Sequence, residues 1–243
     1  MPPFATAIVI GASSGIGAGL VRRLAARGTR VAIVARRAPE LDRLAMELPG
    51  KVFAFPHDVR SYDEVPALFA RMVAELGGCD LFVYNTGVMH RVGADEFDFG
   101  KDREMLEINL LGAVCWLDQA AALMGTRGAG TICGISSVAG DRGRRLNPAY
   151  HTSKAGLTTF LESLRNRLSR RGVTVVTVKP GPVRTAMTEG LTLPLIIDVD
   201  AAVDGTLALI DRGVTEGYVP AAWGPIMAVI RALPSVVFRR LNV

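Results

Sequence analysis

The chain has 243 residues, 49% hydrophobic, 21% charged and 6% aromatic, with a formal net charge of +5. That length buries one sizeable core and is short for two ordinary domains, and the apolar content excludes disorder. Cys79, Cys115 and Cys133 are scattered, which excludes a disulfide framework and leaves no Cys/His cluster for zinc. The positive charge is carried by 24 Arg and only four Lys, a balance that raises nucleic acid and membrane surfaces as partners.

The first residues carry no basic leader and run quickly into glycines, so they read as a strand and not as a signal peptide. With no apolar run of eighteen residues, no membrane span is expected, and the cytoplasm is the default compartment. Strand-like runs follow at residues 5–10, 30–35, 51–55, 80–85, 130–135 and 173–179. They are continuous apolar stretches, as expected of parallel strands covered on both faces. Helical spacing separates them. Ile16, Leu20, Val21 and Leu24 make a stripe that Gly28 closes. Val65, Leu68, Phe69, Met72, Val73 and Leu76 make a second, with Pro66 in its first turn and Ser61 or, preferably, Asp63 as N-cap. A third, Leu157, Phe160, Leu161, Leu164 and Leu168, runs to Gly172. The alternation predicts an α/β fold: a doubly wound parallel sheet with helices on both faces, in a single domain over residues 1–243. In such a sheet, ligands bind outside the carboxyl ends of the strands.

Two motifs carry chemistry. Gly11-Ala-Ser-Ser-Gly15-Ile-Gly17 lies between the first strand and first helix, where glycines let backbone N–H groups approach a pyrophosphate. Ser136-Ser137 precedes Tyr150-His-Thr-Ser-Lys154, in which Tyr150 and Lys154 are i and i+4 and share a helix face. A free phenol, with a pKa of about 10, is a poor acid or base near neutrality. A neighbouring ammonium favours the phenolate and brings that value toward the working range. With four Tyr and four Lys in the chain, this spacing is not an accident of composition.

The Gly-x-x-x-Gly-x-Gly spacing, with Ser137, Tyr150 and Lys154, resembles the classical short-chain dehydrogenase/reductase family, from Ala5 to Thr185. The resemblance implies a Rossmann-type fold and a nicotinamide cofactor held by Gly11, Ser13, Ser14, Gly15, Ile16 and Gly17. Where an acidic residue would hold the ribose hydroxyls of NAD, this chain has Ala35-Arg36-Arg37. Guanidinium groups suit a ribose phosphate, so the cofactor expected is NADP(H). Asp58 and Val59 stand where the family contacts adenine. Tyr84-Asn85-Thr86-Gly87 partly matches the family's Asn-Asn-Ala-Gly; Asn85 and Gly87 carry over to the cofactor site and Tyr84 does not. Pro180, Gly181, Val183 and Thr185 match the segment over the nicotinamide. The implied catalytic set is Asn109 as holder of a relay water, Ser137 as anchor of the substrate oxygen, Tyr150 as acid/base, and Lys154. Tyr150 and Lys154 also touch the cofactor. Ser136 is read as the structural neighbour of Ser137.

The activity implied is hydride transfer between NADP(H) and a small carbonyl or secondary alcohol, in a homo-oligomer (dimer or tetramer). Residues 187–197 are expected to form a substrate lid, whose Met187, Leu191, Leu193 and Leu195 suit a hydrophobic substrate. Arg142, Arg144 and Arg145 are either a solvated loop or a receptor for an acidic group. His151 faces away from Tyr150 and reads as structural, and His57 and His90 suggest no metal. Residues 223–243 form a C-terminal helical extension broken at Pro234, expected to pack against protein in preference to a membrane. The alternative function is a non-catalytic NADP(H) sensor of the same fold. Nucleic-acid binding rests on charge alone and lacks interleaved aromatics, so it is not expected.

Overall fold

In the computed structural model, which describes residues 4–241, seven strands form one parallel sheet. They are β1 (Thr6–Ile10), β2 (Arg30–Ala35), β3 (Val52–Pro56), β4 (Leu81–Tyr84), β5 (Gly130–Ile135), β6 (Val173–Pro180) and β7 (Glu216–Val219). Their order is β3-β2-β1-β4-β5-β6-β7, so the winding reverses between β1 and β4 and opens a crevice there. Residues 1–3 and 242–243, part of the single-domain span and the C-terminal extension read from sequence, lie outside the described residues.

Helices α1 (Gly15–Ala26), α2 (Ala38–Glu47) and α7 (Val199–Asp211) cover one face of the sheet. Helices α3 (Val65–Leu76), α5 (Gly112–Arg127) and α6 (Pro148–Leu168) cover the other. Successive strand residues serve opposite cores: Ile8 and Ile10 pack with the second set, Ala7 and Val9 with the first. Both halves of each strand are therefore apolar, which is why the strands read as continuous runs. The seventh strand escapes that pattern because it is short, lies on the sheet edge and contains Glu216 and Gly217.

Helix α1 ends as its glycine implies. Gly28 has φ +91°, its N–H donates to Ala25 O, and the Thr29 N–H donates to Leu24 O. The start of α3 differs from expectation. A 3₁₀ turn, Tyr62–Glu64, leads into it, and neither Ser61 nor Asp63 makes a side-chain cap bond. The chain is already turning when it reaches Val65, with the Glu64 N–H bonded to Ser61 O, so no side-chain cap forms.

Helix α4 (Phe99–Leu106) runs into α5 through a π-helical segment, Glu107–Leu111. By length and composition the continuous helix 99–127 would also suit a bilayer, but Met105, Ile108, Trp116, Leu117 and Met124 are buried in the protein core. A π turn disturbs the helical ladder, and two tyrosines attend to its carbonyls. Tyr62 Oη donates to Glu107 O at 3.3 Å and Tyr84 Oη to Ile108 O at 2.7 Å. A Cβ on Gly112 would stand 2.9 Å from Tyr84 Oη, so the glycine makes room for the fully buried phenol.

At the C-terminal end, α8 (Trp223–Ala232) lies against the sheet edge at β7, and α9 (Ser235–Phe238) follows it, separated at Pro234. Trp223 and Met227 pack on Val138, while Val229, Val236, Val237 and Leu241 remain exposed. Arg142 caps the end of α8: its Nη1 donates to Ile230 O and, at 2.7 Å, to Leu233 O, and its guanidinium lies 4.0 Å from the Phe238 ring centroid. This corrects one option read from sequence, since Arg142 is committed to the protein and not to a ligand.

Beside it, Lys179 is 2% exposed and lies 2.7 Å from both Asp141 Oδ1 and Glu216 Oε1. Tyr218 Oη donates to Asp141 Oδ2 at 2.7 Å. The cluster joins β6, β7 and the turn Val138–Asp141. Removing one partner of a buried pair strands the other charge. Lys179→Met should therefore lower unfolding free energy by about 3–5 kcal/mol in urea titrations of the full chain; an unchanged midpoint would contradict this role.

Candidate active site

At the crevice between β1 and β4 lies a cavity of about 1010 Å³. One end is built from the loop after β1. Gly11 has φ +88°, and a Cβ there would stand 2.7 Å from the Thr86 nitrogen. Gly15 has φ +54° and faces Thr185, whose Cγ2 would lie 3.4 Å from a Cβ. Gly17 plays a different part. It does not line the cavity; a Cβ there would sit 2.1 Å from Gly11 O, so it lets α1 pack under the loop. Asn85 fastens the loop, its Nδ2 donating to Gly11 O at 3.0 Å.

Ser13, Ser14, Gly15 and Ile16 line this end together with Arg36, Arg37 and Val59. Arg37 Nη2 donates to Ser13 Oγ at 2.9 Å and to Ser14 Oγ at 2.8 Å. Ser14 is the N-cap of α1 but makes no side-chain cap bond, so it does not use up the first-turn donors. Ordinarily such donors and guanidinium groups attract an anion. No carboxylate lines this end of the cavity among the described residues. Asp58 is not in the lining either; its carboxylate accepts from the Arg60 backbone and guanidinium, which hold it below the usual carboxylate range. The glycine cradle, the free N-terminus of α1 and the two arginines fit a phosphorylated dinucleotide.

The other end is built on α6. Asn147 starts it at φ +54°, a conformation asparagine tolerates, and Pro148 occupies the first turn. Tyr150 and Lys154 then fall on one face and both line the cavity. Lys154 is 4% exposed, and its Nζ donates to Ile135 O at 3.0 Å. Gly87 leaves room for it: a Cβ there would lie 3.3 Å from Nζ. Burial brings the Lys154 ammonium down to a pKa of about 8. Burial also pushes the Tyr150 phenol up, and the Ser137 hydroxyl pulls it down by less. Nζ is turned to the Ile135 carbonyl, and loss of hydration dominates at Tyr150.

Ser137 Oγ accepts from the Ala139 N–H at 3.1 Å and lines the cavity. Ser136 spends its hydroxyl on α6, donating to Lys154 O at 2.9 Å. Asn109 is fully buried and does not line the cavity. Its Oδ1 accepts from the Val88 N–H at 2.7 Å, and its Nδ2 donates to Val88 O at 2.8 Å and to Ser153 Oγ at 3.2 Å. The carboxamide thus splices the π turn to the segment after β4.

Pro180, Gly181, Val183 and Thr185 line the wall after β6. A short 3₁₀ turn, Ala186–Thr188, follows with a Thr185/Thr188 capping box. Met187, Leu191 and Leu193 face the cavity, whereas Leu195 is exposed and outside its lining. Arg91 Nη2 donates to Glu189 O at 2.7 Å and ties this segment to the loop after β4. His151 pairs its Nδ1 with Ala139 O at 2.7 Å and also lines the cavity. Val92 and Leu146 also line the cavity and carry no motif; only topology brings them together, with Asn147 Oδ1 accepting from the Val92 N–H at 2.8 Å. The Asn-Pro pair at the start of α6 is the one sequence signal for that junction.

Comparison with known proteins agrees with this geometry. The short chain dehydrogenase family model matches residues 5–194. An uncharacterized oxidoreductase of Myxococcus xanthus is 34% identical over 244 residues, spanning 97% of this chain and 95% of that protein. The cis-4-hydroxycyclohexanecarboxylate dehydrogenase of Sinomonas cyclohexanicum is 34% identical over 188 residues, 76% of each chain. A crystal structure of a short chain dehydrogenase from Burkholderia cenocepacia in complex with NADP superposes with a TM-score of 0.86 at 25% identity, covering 99% of this chain and 98% of that one. The cavity at the β1/β4 crevice is therefore that of an oxidoreductase, and the chain belongs to the short-chain dehydrogenase/reductase family.

Proposed function

We propose that the protein is an NADP(H)-dependent oxidoreductase that interconverts a carbonyl and a secondary alcohol on a fairly hydrophobic small molecule. The observation that carries this reading is one cavity lined by the glycine cradle, Arg36 and Arg37 at one end and by Ser137, Tyr150 and Lys154 at the other. When bound, the nicotinamide supplies or accepts the hydride. The related dehydrogenase from Sinomonas is named for a hydroxy substrate, and the Burkholderia structure contains NADP.

Each residue has a defined task. Arg36 and Arg37 would hold the ribose phosphate, with Ser13 and Ser14 orienting Arg37. Tyr150, kept protonated by burial, would donate its proton to the carbonyl oxygen during reduction and regain it in reverse. Ser137 would hydrogen-bond the same oxygen. Lys154 would offset the negative charge left on Tyr150, a task that needs its ammonium. Asn109 acts at one remove by holding Val88 and the segment after β4 in place. Residues 186–193 would close over the substrate with Met187, Leu191 and Leu193 inward, excluding water. The three cysteines are free thiols, which suits a reducing compartment such as the cytoplasm.

Three outcomes test this reading. Tyr150→Phe should reduce NADPH-dependent ketone turnover by at least about 1,000-fold while NADPH binding persists; substantial residual turnover would sink the assignment. Replacing both Arg36 and Arg37 by Ala should lower the preference for NADPH over NADH by about 10- to 100-fold, from two lost charge-assisted contacts. Finally, NMR of carbon-labelled lysine should show Lys154 titrating near pH 8, and turnover should fall above that pH as the ammonium is lost. Stability responds oppositely. A folded-state value below the ordinary 10.5 penalises the native state at low pH, and that penalty is relieved as pH rises from about 8 to 10.5. A midpoint at the ordinary lysine value would contradict this description of the site.

A further inference from the structure

Arg144 lines the cavity and has no hydrogen-bond or ion-pair partner among the described residues, and its Nε is buried. Its neighbours in the chain are committed elsewhere. Asp141 is bound to Lys179 and Tyr218, Arg142 to the end of α8, and Asn147 to the Val92 N–H. The loop is thus held on both sides of Arg144, so the guanidinium is placed by the fold and does not simply trail in solvent.

The surroundings make an unpaired cation costly. Burial depresses the Arg144 guanidinium, and its charge in turn depresses His151, the residue next to Tyr150. Arg144 therefore belongs to the Tyr150 end of the cavity and not to the Arg36/Arg37 end. Val88, Val92, Val138, Leu146, Leu191 and Leu193 supply apolar lining. Glu96 is the one carboxylate in the lining among the described residues, and it is paired with Lys101. Arg91, the other arginine of these loops in the lining, is taken by Glu189 O. What remains is an apolar chamber with one uncommitted guanidinium in its wall.

We propose that Arg144 receives a carboxylate of the substrate, so that the enzyme prefers apolar keto acids and hydroxy acids over neutral ketones and alcohols. A guanidinium binds a carboxylate through two parallel N–H bonds, and the anion would supply the partner that Arg144 lacks. The proposal rests on the oxidoreductase reading and names the substrate class for that same site.

The test separates binding from turnover. Octanoate and 4-phenylbutanoate, each against its carboxamide, are titrated calorimetrically into the full chain with NADP⁺ present. The same is done for Arg144→Met, Arg144→Gln and the exposed neighbour Arg145→Met. Wild type and Arg145→Met should bind the carboxylates about 10- to 100-fold more tightly than the amides, and both Arg144 variants should lose that preference. In parallel, kcat/KM is measured with NADPH for 4-oxopentanoate, 5-oxohexanoate and 6-oxoheptanoate against their methyl esters. The acid-to-ester ratio should collapse in the Arg144 variants. Equal binding of acid and amide by wild type, or a preference that survives at Arg144, would overturn the proposal. Loss of the preference in Arg145→Met as well would show a general charge effect and overturn it too. If carboxylates bind through Arg144 yet no ketone in either series is reduced, the anion site stands and the oxidoreductase reading fails.

Discussion

The structure turns on one buried cation. Lys154 stands at the carboxyl edge of a parallel sheet with no carboxylate paired to it among the described residues, and its Nζ is met by the Ile135 carbonyl. Such a placement is expensive for a charged group, and it persists because the surrounding chain is built around it. Gly87 leaves space beside the ammonium, and α6 supplies the helical spacing that sets Tyr150 on the same face. The lowered affinity of Lys154 for its proton follows from the burial that comes with its place in the cavity wall it shares with Tyr150. A lysine in a solvated position would keep its charge more firmly and would have nothing to act on.

Around that cation, rigidity comes from groups that never face the cavity. Asn109 clamps Val88 through both halves of its carboxamide, and Tyr62 and Tyr84 bond the carbonyls of the π turn that presents it. Tyr84 is one of two places, with Thr86, where this chain departs from the family's Asn-Asn-Ala-Gly. The phenol reaches across to Ile108 O, and Gly112 gives it room, so two residues that look unrelated in sequence form one contact. On the other flank, Lys179, Asp141, Glu216 and Tyr218 tie the turn after Ser137 to β6 and β7, and Arg142 fastens that turn to α8. Several of the arginines behind the net charge of +5 have such internal partners, and others sit at the cavity where an anion is expected.

What was legible beforehand follows from how local each feature is. The continuous apolar runs announced strands covered on both faces, and the glycine spacing announced the turn into α1, because backbone sterics and periodicity act within a few residues. The Tyr150–Lys154 pair was legible for the same reason: one helical turn fixes it. Less visible were features decided by tertiary partners. β7 is too short and polar to show a period, and the π segment has no compositional mark. Asp58 looks available in sequence until Arg60 is seen holding it. Arg142 and Arg144 are two residues apart and chemically identical, yet one caps a helix and the other faces the cavity; no local rule distinguishes them. Gly17 reads in sequence as part of the cofactor loop, but its missing side chain serves helix packing beneath that loop, not the cavity surface.

The central claim is that this cavity joins a nicotinamide end to a proton-donating end. Isotope tracing tests it most directly: the full chain is incubated with ketones and NADPH carrying deuterium at C4, in separate preparations labelled on either face. The account predicts that deuterium from one preparation, and not the other, is found on the carbinol carbon of the alcohol, and that Tyr150→Phe forms almost none. Alcohol formed without label from either preparation, or no alcohol with any carbonyl compound, would contradict it.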